Sequence, residues 1–184
     1  MNRRKFIRTS STALAGSLLG PQVRLVGAQS RSGDRLRLAL VGTGVRGISM
    51  WGKSLVEDYG DVVEFVGLAD INPGRLEYAL QYIGVDCPTF TSFDEMLETV
   101  PMDILLVNTV DSTHHEFIVK GVQKGLTVVT EKPMTTDEDK CQQILDAERS
   151  GDGRVIAAMN YRYGILFTEL KELLEERRFG TLVS

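Results

Sequence analysis

Three groups of residues in this chain have the types and spacing to do chemistry. The first is Gly42-Thr43-Gly44-Val45-Arg46-Gly47, a G-x-G-x-x-G turn between an apolar run and a helical pattern. Such a turn cradles the pyrophosphate of a dinucleotide. Gly42 permits the tight turn, Gly44 lets backbone approach the phosphates, and Gly47 lets helix and strand pack closely. The helix that follows offers free N–H groups and a partial positive charge to an anion. The second is Asp70, 23 residues past Gly47 at the end of the next apolar run. A carboxylate about 20 residues on is placed to accept ribose hydroxyls and to repel a 2′-phosphate, which favours NAD over NADP; Arg75 nearby keeps NADP open. The third is Glu131-Lys132-Pro133 after another strand-like run, with His114-His115-Glu116 upstream. At a strand's carboxyl end, the Lys132 ammonium would be placed to polarise a hydroxyl or carbonyl. By composition alone, a lysine before proline is ordinarily a solvated loop residue. Two adjacent histidines point about 100° apart on a helix and cannot form an i, i+4 ligand pair, so no metal is expected.

These groups need a frame that brings strand ends together. Short β-branched runs at 36–41, 62–69, 103–107, 126–130 and 155–159 alternate with helical spacing, as in Ile48, Trp51, Leu55 and Tyr59. That alternation predicts an α/β fold, a doubly wound parallel sheet of the Rossmann type with helices on both faces. Pro73 suits a first helical position, and Ser92 with Glu95 and Thr135 with Glu138 read as capping boxes. The strand before Glu131 is expected to be central to the sheet. Leu166, Leu170, Leu173 and Leu174 define a last, highly charged helix, and the chain ends on Phe179–Ser184 as if entering a new strand. The expected organisation is a leader over 1–28, a dinucleotide-binding domain over 35–160, and a connecting helix and first strand over 161–184 of a further α+β domain that is cut off.

The leader reading rests on a basic start, a mild apolar stretch from Thr9 to Gly20 and the small residues Val26-Gly27-Ala28. Arg3-Arg4 before Phe6 resembles a twin-arginine signal, which implies a periplasmic or secreted protein. The apolar run falls short of the roughly 20 residues of a membrane span, and no cysteine follows it for a lipid anchor. The net charge of −4 hides a division: residues 1–28 hold five basic residues and no acid, leaving 16 bases against 25 acids in the remainder. So acidic a protein is a poor partner for nucleic acid or an anionic membrane. Cys87 and Cys141 show no metal-like spacing and read as small core residues rather than a disulfide.

Gly42–Gly47, Asp70, the stretch Asn108–Glu116 and Glu131–Pro133 together resemble the glucose–fructose oxidoreductase and inositol dehydrogenase family, Gfo/Idh/MocA. His114-His115-Glu116 begins 17 residues before Glu131, matching the family's H-x-E and E-K-P spacing. The resemblance covers about residues 36–184. It implies that Lys132 contacts substrate and nicotinamide as the catalytic residue, and that Asn108, Thr109, His114, Glu131 and Asn160 line the cofactor site. Val110 and Asp111 stand where relatives often have Pro and Asn. The implied activity is hydride transfer between NAD (or NADP) and a sugar, polyol or sugar derivative, with the cofactor tightly held through export and the full-length protein a homo-oligomer. Two alternatives stay open: an NAD-dependent glycosidase of the same superfamily, and a non-catalytic NAD-binding sensor or scaffold.

The leader reading has a direct test. Arg3→Lys with Arg4→Lys keeps the charge but removes the recognised pair, and the double variant is expected to stay in the cytoplasm. Normal amounts outside it, measured by fractionation, would refute the twin-arginine reading.

Overall fold

The computed structural model describes residues 35–178 and Gly180. The leader at 1–28, with Arg3 and Arg4, and the terminal strand expected near 181–184 lie outside the described residues. Six strands form one sheet: β1 Leu36–Val41, β2 Val63–Ala69, β3 Thr89–Phe90, β4 Ile104–Val107, β5 Thr127–Thr130 and β6 Arg154–Ala157. Their order is β3-β2-β1-β4-β5-β6, and every pairing is parallel. The expected doubly wound sheet is present. β3, two residues long, carries no periodicity for sequence reading to detect, and only its pairing with Leu68 and Ala69 makes it a strand.

Alternate side chains of the inner strands go to opposite faces, as the pleat requires. Leu38 and Leu40 of β1 join Leu106, Ile48 of α1 (47–59) and Leu76, Ala79 and Ile83 of α2 (Pro73–Ile83) on one face. Ala39 and Val41 join Leu105, Val107 and Val128 under α3 (Phe93–Thr99), α4 (His114–Gln123) and α5 (Glu138–Ser150) on the other. Both sides of β1 and β4 are therefore buried, and their sequences are continuously apolar rather than alternating. The two cysteines are half-buried and free; burial, with the charge of Asp86, pushes the Cys87 thiol up to about 11, so it stays an inert thiol.

Helix starts follow local chemistry. Asn72 caps α2 by accepting from the amides of Gly74 and Arg75, with Pro73 at the first position, and Ser92 caps α3 through the amide of Glu95. The cap of α5 is a correction. Asp137, not Thr135, accepts from the amide of Lys140 at 3.0 Å, and the helix opens at Glu138. A carboxylate adjacent to the first turn is the stronger acceptor and suits the positive end of the helix, leaving the Thr135 hydroxyl buried and without a partner. The first seven residues of α1, Gly47–Lys53, wind as a π-helix, in which the Ser54 amide donates to the Ser49 carbonyl five residues back. The last helix is α6, Ile165–Glu175.

Register places the site. Val41 pairs with both Ala69 and Val107, Val107 with Thr130, and Thr130 with Ala157, so five strands end level. The ladder runs one residue further: the amides of Gly42, Asn108, Glu131 and Ala158 donate to Ala69, Val41, Val107 and Thr130. Asp70, the glycine turn, Asn108, Glu131 and the 158–162 stretch thus lie side by side along one rim. The chain order reverses between β1 and β4, and Asn108 stands at that switch point, where open α/β sheets bind ligands. β5, expected to be central, is interior but one strand from the β6 edge.

Candidate active site

Two cavities open on this rim and share Asn108 and Thr109 as their common wall. The smaller, about 410 Å³, is bounded by Gly42, Gly44, Asp70 and Arg75. The larger, about 980 Å³, is bounded by Arg46, His114, Glu131, Lys132, Asn160 and Arg162. The structure therefore brings ten of the twelve sequence-derived site residues to the two cavities. Gly47 lies buried beneath the turn, and Val45 is 82% exposed on its outer side.

The three glycines of the turn are required for different reasons. Gly42 has φ of +92°, and a Cβ there would stand 2.5 Å from the backbone of Asn108. A Cβ on Gly47 would collide with the Gly42 carbonyl. The protein itself thus demands glycine at both. At Gly44 an added Cβ meets nothing within 4 Å. It would project into free space on the wall of the smaller cavity, so what glycine preserves there is room for a ligand. The Asn108 side-chain oxygen adds a second sign of the same kind: it is buried and has no hydrogen-bond partner among the described residues. A dinucleotide fits these features, with the glycine turn as its phosphate cradle and Asn108 at the waist between its halves.

Asp70 is 9% exposed and already engaged. Its Oδ2 accepts from the Thr43 amide at 2.8 Å and the Thr43 hydroxyl at 2.9 Å, and its Oδ1 accepts from the Asn72 amide at 2.9 Å. It therefore ties the end of β2 to the glycine turn. A carboxylate offers about four acceptor positions, so Oδ1 retains room for one further donor.

Glu131 is the most enclosed acid at the rim. Its Oε1 accepts from Arg46 Nε at 2.7 Å and from Trp51 Nε1 at 2.9 Å, and its Oε2 from the Lys132 amide at 3.2 Å. Burial pushes its carboxyl up, but the hydrogen bonds from Trp51 and Arg46, the charge of Arg46 and the Lys132 amide outweigh this and hold it below the ordinary carboxylate range. Sequence reading places Trp51 among the core positions of a helix and misses this role. The available signal is chemical: an enclosed indole N–H needs an acceptor. Lys132 is exposed in the larger cavity and makes no ion pair among the described residues.

His114 is 2% exposed. Its Nδ1 faces the Pro133 carbonyl at 2.9 Å and its Nε2 the Thr109 carbonyl at 3.0 Å. A neutral imidazole has one N–H and donates to only one of these two carbonyls, so the buried ring is packed between the loops after β4 and β5 and tied by hydrogen bond to one of them. His115 points elsewhere, with its Nδ1 buried and unpartnered.

Comparison with known proteins agrees with this geometry. Residues 36–159 match the Gfo/Idh/MocA family model, described as an oxidoreductase family with an NAD-binding Rossmann fold. The putative oxidoreductase YteT of Bacillus subtilis is 33% identical over 151 residues, covering 80% of this chain and 35% of that protein. Inositol 2-dehydrogenase 3 of Saccharopolyspora erythraea is 29% identical over 145 residues, covering 77% and 42%. The WlbA dehydrogenase of Chromobacterium violaceum, solved in complex with NADH and UDP-GlcNAcA, superposes with a TM-score of 0.72 at 27% identity, covering 79% of this chain and 41% of that one. The chain thus spans well under half the length of these relatives.

The engagement of Asp70 has a measurable consequence without any ligand. Asp70→Asn leaves one acceptor oxygen for donors on two sides and turns an NH₂ toward one of them. Unfolding in urea is expected to show a loss of about 1–3 kcal/mol, the cost of a buried donor left unpaired. An unchanged midpoint would mean that these bonds contribute nothing.

Proposed function

This chain belongs to the Gfo/Idh/MocA oxidoreductase family, and from that membership and the site geometry we propose that it is the NAD-holding and lysine-bearing part of a dehydrogenase acting on a sugar, polyol or sugar derivative. The observation that carries the proposal is the pair of cavities joined at Asn108, one built on a glycine turn with room at Gly44, the other containing an unpaired lysine. NAD, when bound, supplies a hydride acceptor. The rest of the chemistry falls to the chain. Backbone amides at 44–47 and the start of α1 hold the phosphates, and the free acceptor position on Asp70 takes a ribose hydroxyl. Asn108, Thr109 and Asn160 line the nicotinamide end. Glu131 and His114 act behind these, fixing the loop that carries Lys132.

Lys132 is assigned the reacting hydroxyl. As the neutral amine it accepts the hydroxyl proton in the oxidising direction, and as the ammonium it donates to the carbonyl oxygen in the reducing direction. The substrate class is supported by the inositol 2-dehydrogenases among the relatives and by the sugar nucleotide in the WlbA complex, all hydroxyl-rich molecules. The leader reading supplies the remaining part of the proposal, export with the cofactor already in place.

Two experiments test the assignment. Calorimetry on this chain is expected to show NAD binding, with NADP bound more weakly because Asp70 repels a 2′-phosphate. Gly44→Val is expected to abolish binding while the unfolding midpoint holds. Equal or tighter binding of NADP would overturn the cofactor preference.

In the whole, active protein, Lys132→Ala is expected to lower turnover by about 10²–10⁴-fold with little change in NAD affinity. Lys132→Arg should rescue little, since a guanidinium does not release its proton at accessible pH. Normal turnover in Lys132→Ala, measured by steady-state kinetics, would remove the catalytic assignment and leave the nucleotide site standing.

A further inference from the structure

The sheet leaves a gap between the two loops that the reaction needs together. β4 lies between β1 and β5, so the glycine turn and the Lys132 loop are about 10 Å apart at the rim, two strand spacings. Among the described residues, the hydrogen bonds that join 42–53 to 130–134 are those from Arg46 and Trp51, and both end on Glu131 Oε1. The other oxygen of that carboxylate holds the Lys132 amide. One enclosed side chain, 7% exposed, therefore receives a donor from the end of the glycine turn, a donor from the π-helical start of α1, and a donor from the lysine itself.

Resting on the dinucleotide reading above, we infer that Arg46 and Trp51 are positioning residues that transmit occupancy of the glycine turn, through the Glu131 carboxylate, to the loop carrying Lys132. Arg46 is suited to this because Glu131 engages only its Nε. The terminal amino groups stay available to an anion, and the side chain borders the larger cavity. Trp51 is suited because an indole N–H is a donor only, so its bond to Glu131 has one sense. A phosphate settling on the turn draws on Arg46. A shift of Arg46 acts on Glu131 through their hydrogen bond, and a shift of the Glu131 carboxylate acts on the Lys132 amide through the next.

The carboxylate must stay ionised for this to work, and its surroundings keep it so. Arg46 faces it from the glycine turn and Lys132 from its own loop, while Asp111 and His114 from the β4–α4 stretch and Arg162 beyond β6 border the same cavity. Of these, Arg46 makes direct charged contact. Lone burial would favour the neutral acid; the converging donors reverse it.

The test uses amide and indole NMR signals of the 184-residue chain. The sequence has a single tryptophan, so one indole N–H signal reports on Trp51. As pH falls, that signal is expected to shift in a step below the ordinary carboxylate range, and Glu131→Gln is expected to remove the step. ADP serves as the probe, since it can fill the glycine turn but carries no nicotinamide. At saturation it is expected to shift the Gly44 amide, the Trp51 indole and the Lys132 amide with one common Kd. In Arg46→Met the Gly44 amide should still respond, while the Lys132 response falls to less than half. Arg46→Lys should restore little, because an ammonium cannot hold Glu131 and an anion in the same fork geometry. Trp51→Phe keeps an aromatic ring, removes the N–H together with the second ring of the indole, and should weaken the Lys132 response to a lesser degree. It stands as the second variant should Arg46→Met fail to fold. A Lys132 amide that ignores ADP in the unaltered chain, or responds fully in both variants, overturns the inference. If ADP moves none of the three signals, the dinucleotide reading fails first and the inference with it.

Discussion

The site depends on the level register of a parallel sheet. Parallel strands repeat their pairing evenly along the ladder, and here Val41, Ala69, Val107, Thr130 and Ala157 are mutual neighbours at the same height. One residue beyond, each chain leaves the sheet with its amide still donating to the strand alongside. The residues that follow are therefore held in a row by backbone bonds before any side chain takes part. A slip of one residue in β5 would exchange the faces of Val128 and Val129 and move Glu131 off the rim. In β5 Val128 and Thr130 are fully buried while Thr127 and Val129 are only partly so, and a slip would exchange these environments.

The row is interrupted where the order of connection reverses. The loops after β1 and β4 leave toward opposite faces, α1 on one and α4 on the other, and the space between them is the waist shared by the two cavities. Gly42 fits against the backbone of Asn108 so closely that no side chain could stand between. The side-chain oxygen of the same Asn108 is buried without a partner among the described residues. The first feature is set by the protein's own packing; the second, a buried acceptor without a partner among the described residues, is a feature that costs stability.

Two acids at the rim, Asp70 and Glu131, show how ionised groups are kept in such a place. Each is nearly enclosed, and each carries donors on both oxygens. A buried carboxylate without donors would take up a proton. With them it becomes a rigid charged anchor, tying β2 to the glycine turn in one case and α1 to the Lys132 loop in the other. His114 is packed between the loops after β4 and β5, with one N–H for two facing carbonyls. Lys132, exposed and without an ion pair among the described residues, thus stands beside groups whose bonds are already made.

Local rules sufficed for a large part of this. The apolar runs of β1, β2, β4 and β5, the helical spacing of α2 and α4, the caps at Asn72-Pro73 and Ser92, and the glycine turn are all properties of a few consecutive residues, so the alternation of strands and helices and the nucleotide-binding turn could be read from the sequence. So could the family likeness, since it rests on spacing along the chain. Tertiary structure decided what depends on residues distant in sequence. β3 exists only because Leu68 and Ala69 offer it an edge. Asp137 displaced Thr135 as the cap of α5, since the helix opens at Glu138 and the Asp137 carboxylate is the acceptor within reach of the Lys140 amide. The partners of Glu131 are 80 and 85 residues away along the chain. No local pattern assigns Trp51 to a carboxylate rather than to the core, because the sheet order β1-β4-β5 that brings them together is a long-range property, set by which strands pair and not by what any one of them contains.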